Sequence, residues 1–190
     1  DSGVTYIQEL DASFYGGKLT AKGRIAPDIG KINRYDLNLG LERVNADRLF
    51  RALDVTHEIT GSLDLQGNIT ARGSSMPDIR KSALGIVRLR MERGKLRKFN
   101  VLSKLFSVLN FSQLLKFQLP DMVHNGMPYN DIKASLSVRD GIVATQDMFI
   151  NGDAINISVI GNADIVKEEL NFTIGVQPLQ TVDKVVNRIP

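Results

Sequence analysis

The stretch Ile59–Gly73, ITGSLDLQGNITARG, decides the fold class of this chain, because apolar and polar residues alternate along most of its length. The residues that share one side of the predicted strand are Ile59, Gly61, Leu63, Leu65, Gly67, Ile69 and Ala71. A period of two is typical of a β-strand with one buried face. The glycines on that side permit bending of the strand or close approach of another backbone. The stretch therefore predicts one long, half-buried strand.

The same alternation extends in both directions from this stretch. Upstream, Gly16-Gly17 separates two alternating segments and predicts a hairpin, and a further strand follows around Leu37. Downstream, predicted turns at Arg139–Gly141, Asn151-Gly152 and Lys167–Glu169 separate alternating strands. The run GIVRLRMERGKL, residues 85–96, is predicted to be a hairpin that turns near Arg93-Gly94.

Three segments have helical rather than strand spacing. The longest, FNVLSKLFSVLNFSQLLKFQL at 99–119, has apolar residues at intervals of three and four, and predicts an amphipathic helix over Asn100–Phe117. This helix is expected to lay its apolar face on the sheet, so we expect the rest of the chain to be organised around it. Shorter helices are predicted at Ala46–Leu53, capped by Asn45 and with Leu49, Phe50 and Leu53 facing inward, and at Thr181–Ile189.

Together these patterns predict a mainly β fold, a β-rich α+β domain spanning 1–190. We expect a strongly curved antiparallel sheet that forms a groove, with the amphipathic helix packed against it. A weak internal repeat of strand, short helix and glycine-punctuated strands divides the domain into 1–72 and 73–190. The alternation fits both a closed sandwich of two sheets and a curved sheet left open as an apolar trough, since both need one apolar row per strand.

Composition restricts the classes of function. The chain has 190 residues, a formal net charge of +3 and no cysteine, which excludes disulfides and thiolate metal sites. No apolar run approaches the roughly 18–20 residues that cross a bilayer. The chain opens with Asp-Ser-Gly and stops within a predicted helix, so we expect a fragment whose membrane anchor, if it has one, lies outside this sequence.

Catalytic motifs are scarce. His57 and His124 are the only histidines and have no metal-ligand spacing, and Asp64 has no partner recognisable from the sequence. The serines lack a nucleophile-elbow motif, and no glycine-rich stretch has the spacing of a phosphate-binding or dinucleotide-binding loop. We therefore expect no enzyme, no cofactor and no metal. A hydrolase would require a carboxylate or histidine pair to converge in a pocket.

Two groups of residues are candidates for binding. The first is a basic cluster that could contact anionic lipid head groups, namely Arg88, Arg90, Arg93, Lys95, Arg97 and Lys98. The alternative is an ordinary solvated hairpin, and nucleic-acid binding is disfavoured because no aromatic residues are interleaved. The second is an apolar row that could line a groove and hold acyl chains, namely Leu136, Val138, Ile157, Val159, Leu170, Phe172 and Ile174.

The residues from Gly61 to Pro190 closely resemble the C-terminal region of the AsmA-like family of bacterial envelope proteins, and its YhdP-like branch in particular. The most specific segments are LSKLFSVLN at 102–110, Gly126–Tyr129, and VQPLQTVDKV at 176–185. Upstream strands resemble the family more loosely. The family continues past the position of Pro190 with a further apolar segment, so we expect part of the terminal cap to be missing.

The resemblance implies a fold and a function. Such proteins look like long β-grooves that are anchored in the inner membrane, reach through the periplasm and resemble bridge-like lipid transfer proteins. It implies a non-catalytic module that binds phospholipid or another acyl lipid, supports outer-membrane biogenesis and has envelope proteins as candidate partners. The family supplies no catalytic residues. The alternative is a structural or protein-interaction module of the cell envelope that conducts no lipid.

Overall fold

The computed structural model describes residues 3–28, 30, 32–54, 58–97, 126–153 and 155–179. Several predictions fall outside these residues and stay untested. They are the helices at Asn100–Phe117 and Thr181–Ile189, the basic residue Lys98, and both histidines, His57 and His124. The division of the domain into 1–72 and 73–190 also stays a prediction.

The described residues form nine strands and two short helices. In chain order these are β1 (Thr5–Phe14), β2 (Gly17–Pro27), β3 (Asn33–Asn45), α1 (Ala46–Ala52), β4 (Ser62–Gly73), α2 (Met76–Ser82), β5 (Leu84–Leu96), β6 (Met127–Arg139), β7 (Ile142–Gly152), β8 (Ile155–Asp164) and β9 (Glu169–Pro178). The strands make a single sheet whose spatial order is the chain order. Each strand is antiparallel to its neighbours, and β1 does not pair with β9. The predicted mainly β, curved antiparallel fold is confirmed, and the sheet is open rather than closed.

The register of the strands places the alternating apolar residues side by side. One row crosses the sheet from β3 to β9 through Val44, Leu63, Met91, Ile132, Ile150, Ile157 and Val176. A parallel row crosses all nine strands through Leu10, Ala21, Leu39, Gly67, Val87, Leu136, Thr145, Gly161 and Phe172. We call this side of the sheet the apolar face and the opposite side the outer face. The row predicted from residues 59–73 lies on the apolar face from Leu63 to Ala71.

Irregular pairing bends several strands. The register shifts between Ile7 and Leu10, between Leu41 and Val44, at two places in β6 opposite β7, and between Thr145 and Met148. An extra residue in one strand kinks it and increases its twist. These bulges therefore account for a curved rather than a flat sheet.

The short helix α1 follows the predicted pattern at its start but not at its end. The Asn45 side chain accepts a hydrogen bond from the Arg48 amide at 3.0 Å, which confirms the predicted cap. Leu49 is buried and Phe50 packs against the core, as the spacing predicts. The spacing also predicts Leu53 inward, but the helix ends at Ala52 and the Leu53 side chain is 61% exposed.

The predicted hairpin near Arg93-Gly94 is wrong. β5 runs without a turn from Leu84 to Leu96 and pairs with β6 on both sides of this dipeptide. Arg93 has a left-handed backbone, with φ 52°. Gly94 is required because a β-carbon there would overlap the Thr60 carbonyl and the Tyr129 ring. The glycine thus reflects close packing beside Tyr129 rather than a turn.

Candidate functional site

All seven residues predicted to line a groove lie on the apolar face. Leu136 and Val138 are in β6, Ile157 and Val159 in β8, and the other three in β9. The pairing sets Val159 opposite Ile174, and Gly161 opposite Phe172. The structure therefore brings the seven side chains onto one surface, which also includes apolar residues of β1 to β5.

The apolar face is sealed at one end of the strands. Val44, Met127 and Ile157 are almost completely inaccessible, and they belong to one cluster with Leu49 of α1. Ile157 itself is only 1% exposed. We call this part the sealed half, and its side chains form the hydrophobic core of the described residues.

Burial decreases away from α1 along β8 and β9, whereas the far end of β4 stays buried, with Ala71 5% exposed and Gly73 close to α2. On the same face, Leu170 is 74% exposed, Phe172 37% and Leu10 44%. Val138 and Ile69, which lie in strands between β1 and β9, are each half-buried. We call this part the open half. Leu170 and Phe172 are adjacent on β9, whereas Leu10 lies on the opposite edge strand, β1. Exposed apolar patches often mark a binding site, so the open half, and its β9 edge in particular, is the candidate binding surface.

The basic cluster lies elsewhere. Arg88 and Arg90 are exposed on the outer face, opposite Ser135 and Lys133 in the neighbouring strand. Arg93, Lys95 and Arg97 are also exposed, near the sealed end. Two of these cations already have partners, since Arg90 contacts Glu92 at 2.6 Å and Arg97 contacts Asp47 at 3.5 Å. The structure does not combine the basic cluster and the open half into one site.

The outer face also has exposed aliphatic side chains, interspersed with these charges. Leu84, Ile86 and Ile142 surround a shallow depression of about 640 Å³ together with Ser137 and Ala144. Exposed apolar area is therefore not restricted to the apolar face. What distinguishes the apolar face is that its rows continue across the whole sheet.

Two carboxylates hold the bulges that bend the sheet, a role that sequence reasoning missed. Asp64 accepts a hydrogen bond from the amide of Arg43, whose φ is 52°, at 2.9 Å. Asp147 accepts from the Ser135 amide at 2.8 Å and from the Thr145 hydroxyl at 3.2 Å. Each aspartate thus supplies an acceptor where a register shift disturbs the backbone ladder.

The hydrogen bonds to Asp147 lower its pKa. The amide and side chain of Ser135 are the main causes, and the Thr145 hydroxyl adds to them. A depressed pKa in the folded state means that the ionised carboxylate stabilises the fold above the unfolded pKa of about 3.9, and that this stability is lost as the pH falls through the lower folded pKa.

We expect Asp147→Asn to flatten the acid dependence of stability. The asparagine oxygen can still accept from Ser135 but cannot be protonated in this range. Urea unfolding measured from neutral pH down to about pH 3 should show a free energy of unfolding that falls less steeply below about pH 4 than in the wild type. Asp140, an exposed turn residue, is a suitable control for the same substitution. Equal slopes for the wild type and Asp147→Asn would contradict the role of this carboxylate.

The sealed half contains one buried hydroxyl. Tyr129 is 2% exposed, and its hydroxyl donates to the Thr60 carbonyl oxygen. Burial raises the pKa of Tyr129 to about 12, so the phenol is neutral at physiological pH. It therefore joins the segment before β4 to β6 as a structural contact and has no proton to give up near neutral pH.

Within the described ranges, no three histidine, aspartate or glutamate side chains are grouped so that they could hold a metal ion. Neither described helix has the length and apolarity to span a bilayer. Asp64, the one carboxylate considered as an acid or base from the sequence, accepts a hydrogen bond from the Arg43 amide.

Comparison with known proteins agrees with the sequence resemblance. A family model described as YhdP protein matches residues 3–185. The Escherichia coli (strain K12) protein named intermembrane phospholipid transporter YhdP is 25% identical over 99 residues, which cover 50% of this chain and 8% of that protein. No solved structure matches the chain.

Proposed function

This chain belongs to the YhdP family, and we propose on that basis that its apolar face binds phospholipid acyl chains and forms part of a path for lipid transfer. The relative in Escherichia coli is named for intermembrane phospholipid transport. Because the match covers a small part of that protein, transport by the whole molecule is part of the proposal. The module is proposed to act without catalysis.

One observation carries this proposal. The sheet is open, and one of its faces is apolar in every strand from β1 to β9, with large side chains exposed in its open half. At about 4.8 Å between strands, nine strands give a face about 40 Å long. Acyl chains bind through non-directional burial of apolar area, which needs a continuous apolar surface rather than a specific constellation.

The sealed half sets a limit on where lipid can lie. Ile157 was among the predicted groove residues, but its side chain is packed within the core. Leu170, Phe172 and the half-buried Val138 remain accessible. We propose the open half as the contact surface, with Ile157, Val159 and Ile174 supporting it from the sealed side.

The cellular setting follows from the family as a further part of the proposal. We propose that the module works in the periplasm, within a protein anchored in the inner membrane by segments outside this chain, and that it supports outer-membrane biogenesis. The basic cluster is not needed for acyl binding. Its exposed cations Arg88 and Arg93 are proposed to contact anionic head groups from the outer face.

The alternative is a structural or protein-interaction module of the cell envelope. The outer-face depression beside Leu84 and Ile86 favours this alternative, since an exposed apolar hollow can also accept a protein side chain. The two functions differ in whether lipid is bound by the isolated module.

We expect the protein purified from a bacterial host to contain phospholipid, and Leu170→Asp to reduce the bound amount. The variant adds a charge to the open half at a side chain that is 74% exposed, so the fold should be retained. Asn171→Asp is the matched control, because it adds the same charge on the opposite face of the same strand. Mass spectrometry of extracted lipid per mole of folded protein is the measurement.

Two results would contradict the proposal. One is repeated absence of lipid from folded wild-type protein, which would favour the structural alternative. The other is an equal loss of lipid in Leu170→Asp and Asn171→Asp, which would show that charge on β9, rather than the apolar face, controls binding.

A further inference from the structure

Among the described residues, β9 is an edge strand with a neighbour on one side only. It pairs with β8 over ten consecutive residues without a register shift, and no described strand pairs with its other side. In an antiparallel sheet, every second residue of an edge strand directs its N–H and C=O groups outward. The unpaired edge of β9 therefore presents an unbroken row of backbone hydrogen-bond donors and acceptors.

Nothing in β9 blunts this edge. Natural sheets protect free edges with charges, prolines or bulges. From Leu170 to Gln177 the strand has no charged residue and no proline, and Pro178 comes only at its end. The opposite edge is different, because β1 has a register shift between Ile7 and Leu10 and carries the charged Asp11.

The side chains of β9 also leave the apolar face unfinished. The row through Thr145 and Gly161 ends at Phe172, and the next row ends at Leu170, both with large exposed fractions. A further strand beside β9 would cover these side chains and continue the rows. This is the mode of recognition in which an added strand supplies main-chain hydrogen bonds and alternate side chains supply specificity.

We propose that β9 pairs with β9 of a second copy of this chain, antiparallel and centred on Thr173. In that register Phe172 faces Ile174 of the other copy, and Leu170 faces Val176, on a shared apolar face. Aromatic and β-branched residues are favourable cross-strand partners. Glu169 would face Gln177, so no like charges oppose each other. The strand is thus complementary to itself.

The contact is isologous and closed. A two-fold axis perpendicular to the sheet relates the copies, so both apolar faces lie on the same side and join into one surface. A contact of one strand per copy is at the small end of specific interfaces, so the dimer should dissociate on dilution. The pairing shares Leu170 and Phe172 with the proposed lipid surface, but its hydrogen bonds come from the backbone of β9, so it can form without lipid.

The chain has no cysteine, which permits a direct test. Thr173→Cys would place two thiols opposite each other at the two-fold axis, and Cα atoms of directly opposed residues are about 4.5–5.5 Å apart, within disulfide range. Ser13→Cys is the matched control, because it is exposed on the outer face of the other edge strand. We expect oxidised Thr173→Cys to form a covalent dimer at least about tenfold faster than Ser13→Cys.

A second variant tests the contact without cross-linking. Thr173→Lys would set two lysines face to face across the axis and should weaken the dimer about fivefold in sedimentation equilibrium, whereas Ser13→Lys should not. Equal cross-linking rates for the two cysteine variants would overturn the proposal. A wild-type protein that stays monomeric at its highest soluble concentration would also overturn the proposal. A third contradicting result is a mixture of Thr173→Cys and Ser13→Cys that cross-links faster than Thr173→Cys alone, because this would indicate head-to-tail pairing of β9 with β1.

Discussion

Ile157→Asp should abolish cooperative folding of the sheet. The side chain is 1% exposed, lies opposite Ile150 and Val176, and belongs to the buried cluster of the sealed half. A carboxylate there would be buried without a partner, which costs more than the hydrophobic contacts that it replaces. We expect a loss of about 4 kcal/mol or more in the free energy of unfolding, seen as the absence of a sigmoidal thermal transition by circular dichroism.

The matched control lies on the same face of the next strand. Leu170→Asp introduces the same charge at a side chain that is 74% exposed, so its melting temperature should stay near that of the wild type. The milder Ile157→Ala should cost about 2–5 kcal/mol through the cavity that it leaves. A wild-type melting curve for Ile157→Asp would show that the sealed half is not the core.

Gly94→Ala should strongly destabilise the sheet. A β-carbon at this position would overlap the Thr60 carbonyl and the ring of Tyr129, which is itself buried. Because backbone and a packed ring must both move, we expect a loss of about 3 kcal/mol in the free energy of unfolding, measured by urea titration.

Gly175→Ala is the corresponding control in β9. The nearest atom to a β-carbon there is the Ser158 Cβ at 3.8 Å, an ordinary contact, so the added methyl fits. We expect a change of less than about 1 kcal/mol, and stabilisation is the expected direction because alanine restricts the unfolded chain. If Gly94→Ala is as well tolerated as Gly175→Ala, the close approach of Tyr129 to β5 is not a constraint on the fold.

Strand alternation was sufficient to predict the sheet, because a half-buried strand must alternate. The predicted turn dipeptides do not all form turns, and Asn151-Gly152 are paired as the last residues of β7. Asp140-Gly141 does form a turn between β6 and β7, whereas Arg93-Gly94 lies inside β5, where glycine is needed for packing. A glycine required by a distant aromatic ring cannot be distinguished locally from a glycine required by a turn.

Helix α2 was missed for a related reason. It has no buried residue, so its sequence lacks the apolar periodicity by which helices are recognised. Its signals are local, namely the Ser75 cap, which accepts from the Asp78 amide at 3.4 Å, and a proline in the first turn. A capping residue alone predicts a helix less strongly than a capping residue followed by an apolar pattern. Helix α1 has both, since Leu49 is buried one turn after its Asn45 cap.

The candidate site was only partly accessible from sequence. Periodicity predicts that the seven groove residues share one face, but it contains no information on how far that face is covered, so it cannot distinguish the buried Ile157 from the exposed Leu170. The bulge residues Asp64 and Asp147 were missed because a carboxylate on a polar strand face has no sequence signature that separates a solvated group from an acceptor of a backbone N–H. Register and bulges arise only when strands are paired.

The agreement between strand order and chain order has a kinetic consequence. Since every strand pairs only with its neighbours in sequence, most native contacts close short loops, and contact order is low for an all-antiparallel sheet. The exception is β5 with β6, whose paired ends Leu96 and Met127 are separated by a long connection. Closing that connection carries the largest loop-entropy cost. We therefore expect the strands β1–β5 and the strands β6–β9 to pair independently of each other, and the association of β5 with β6 to limit the folding rate.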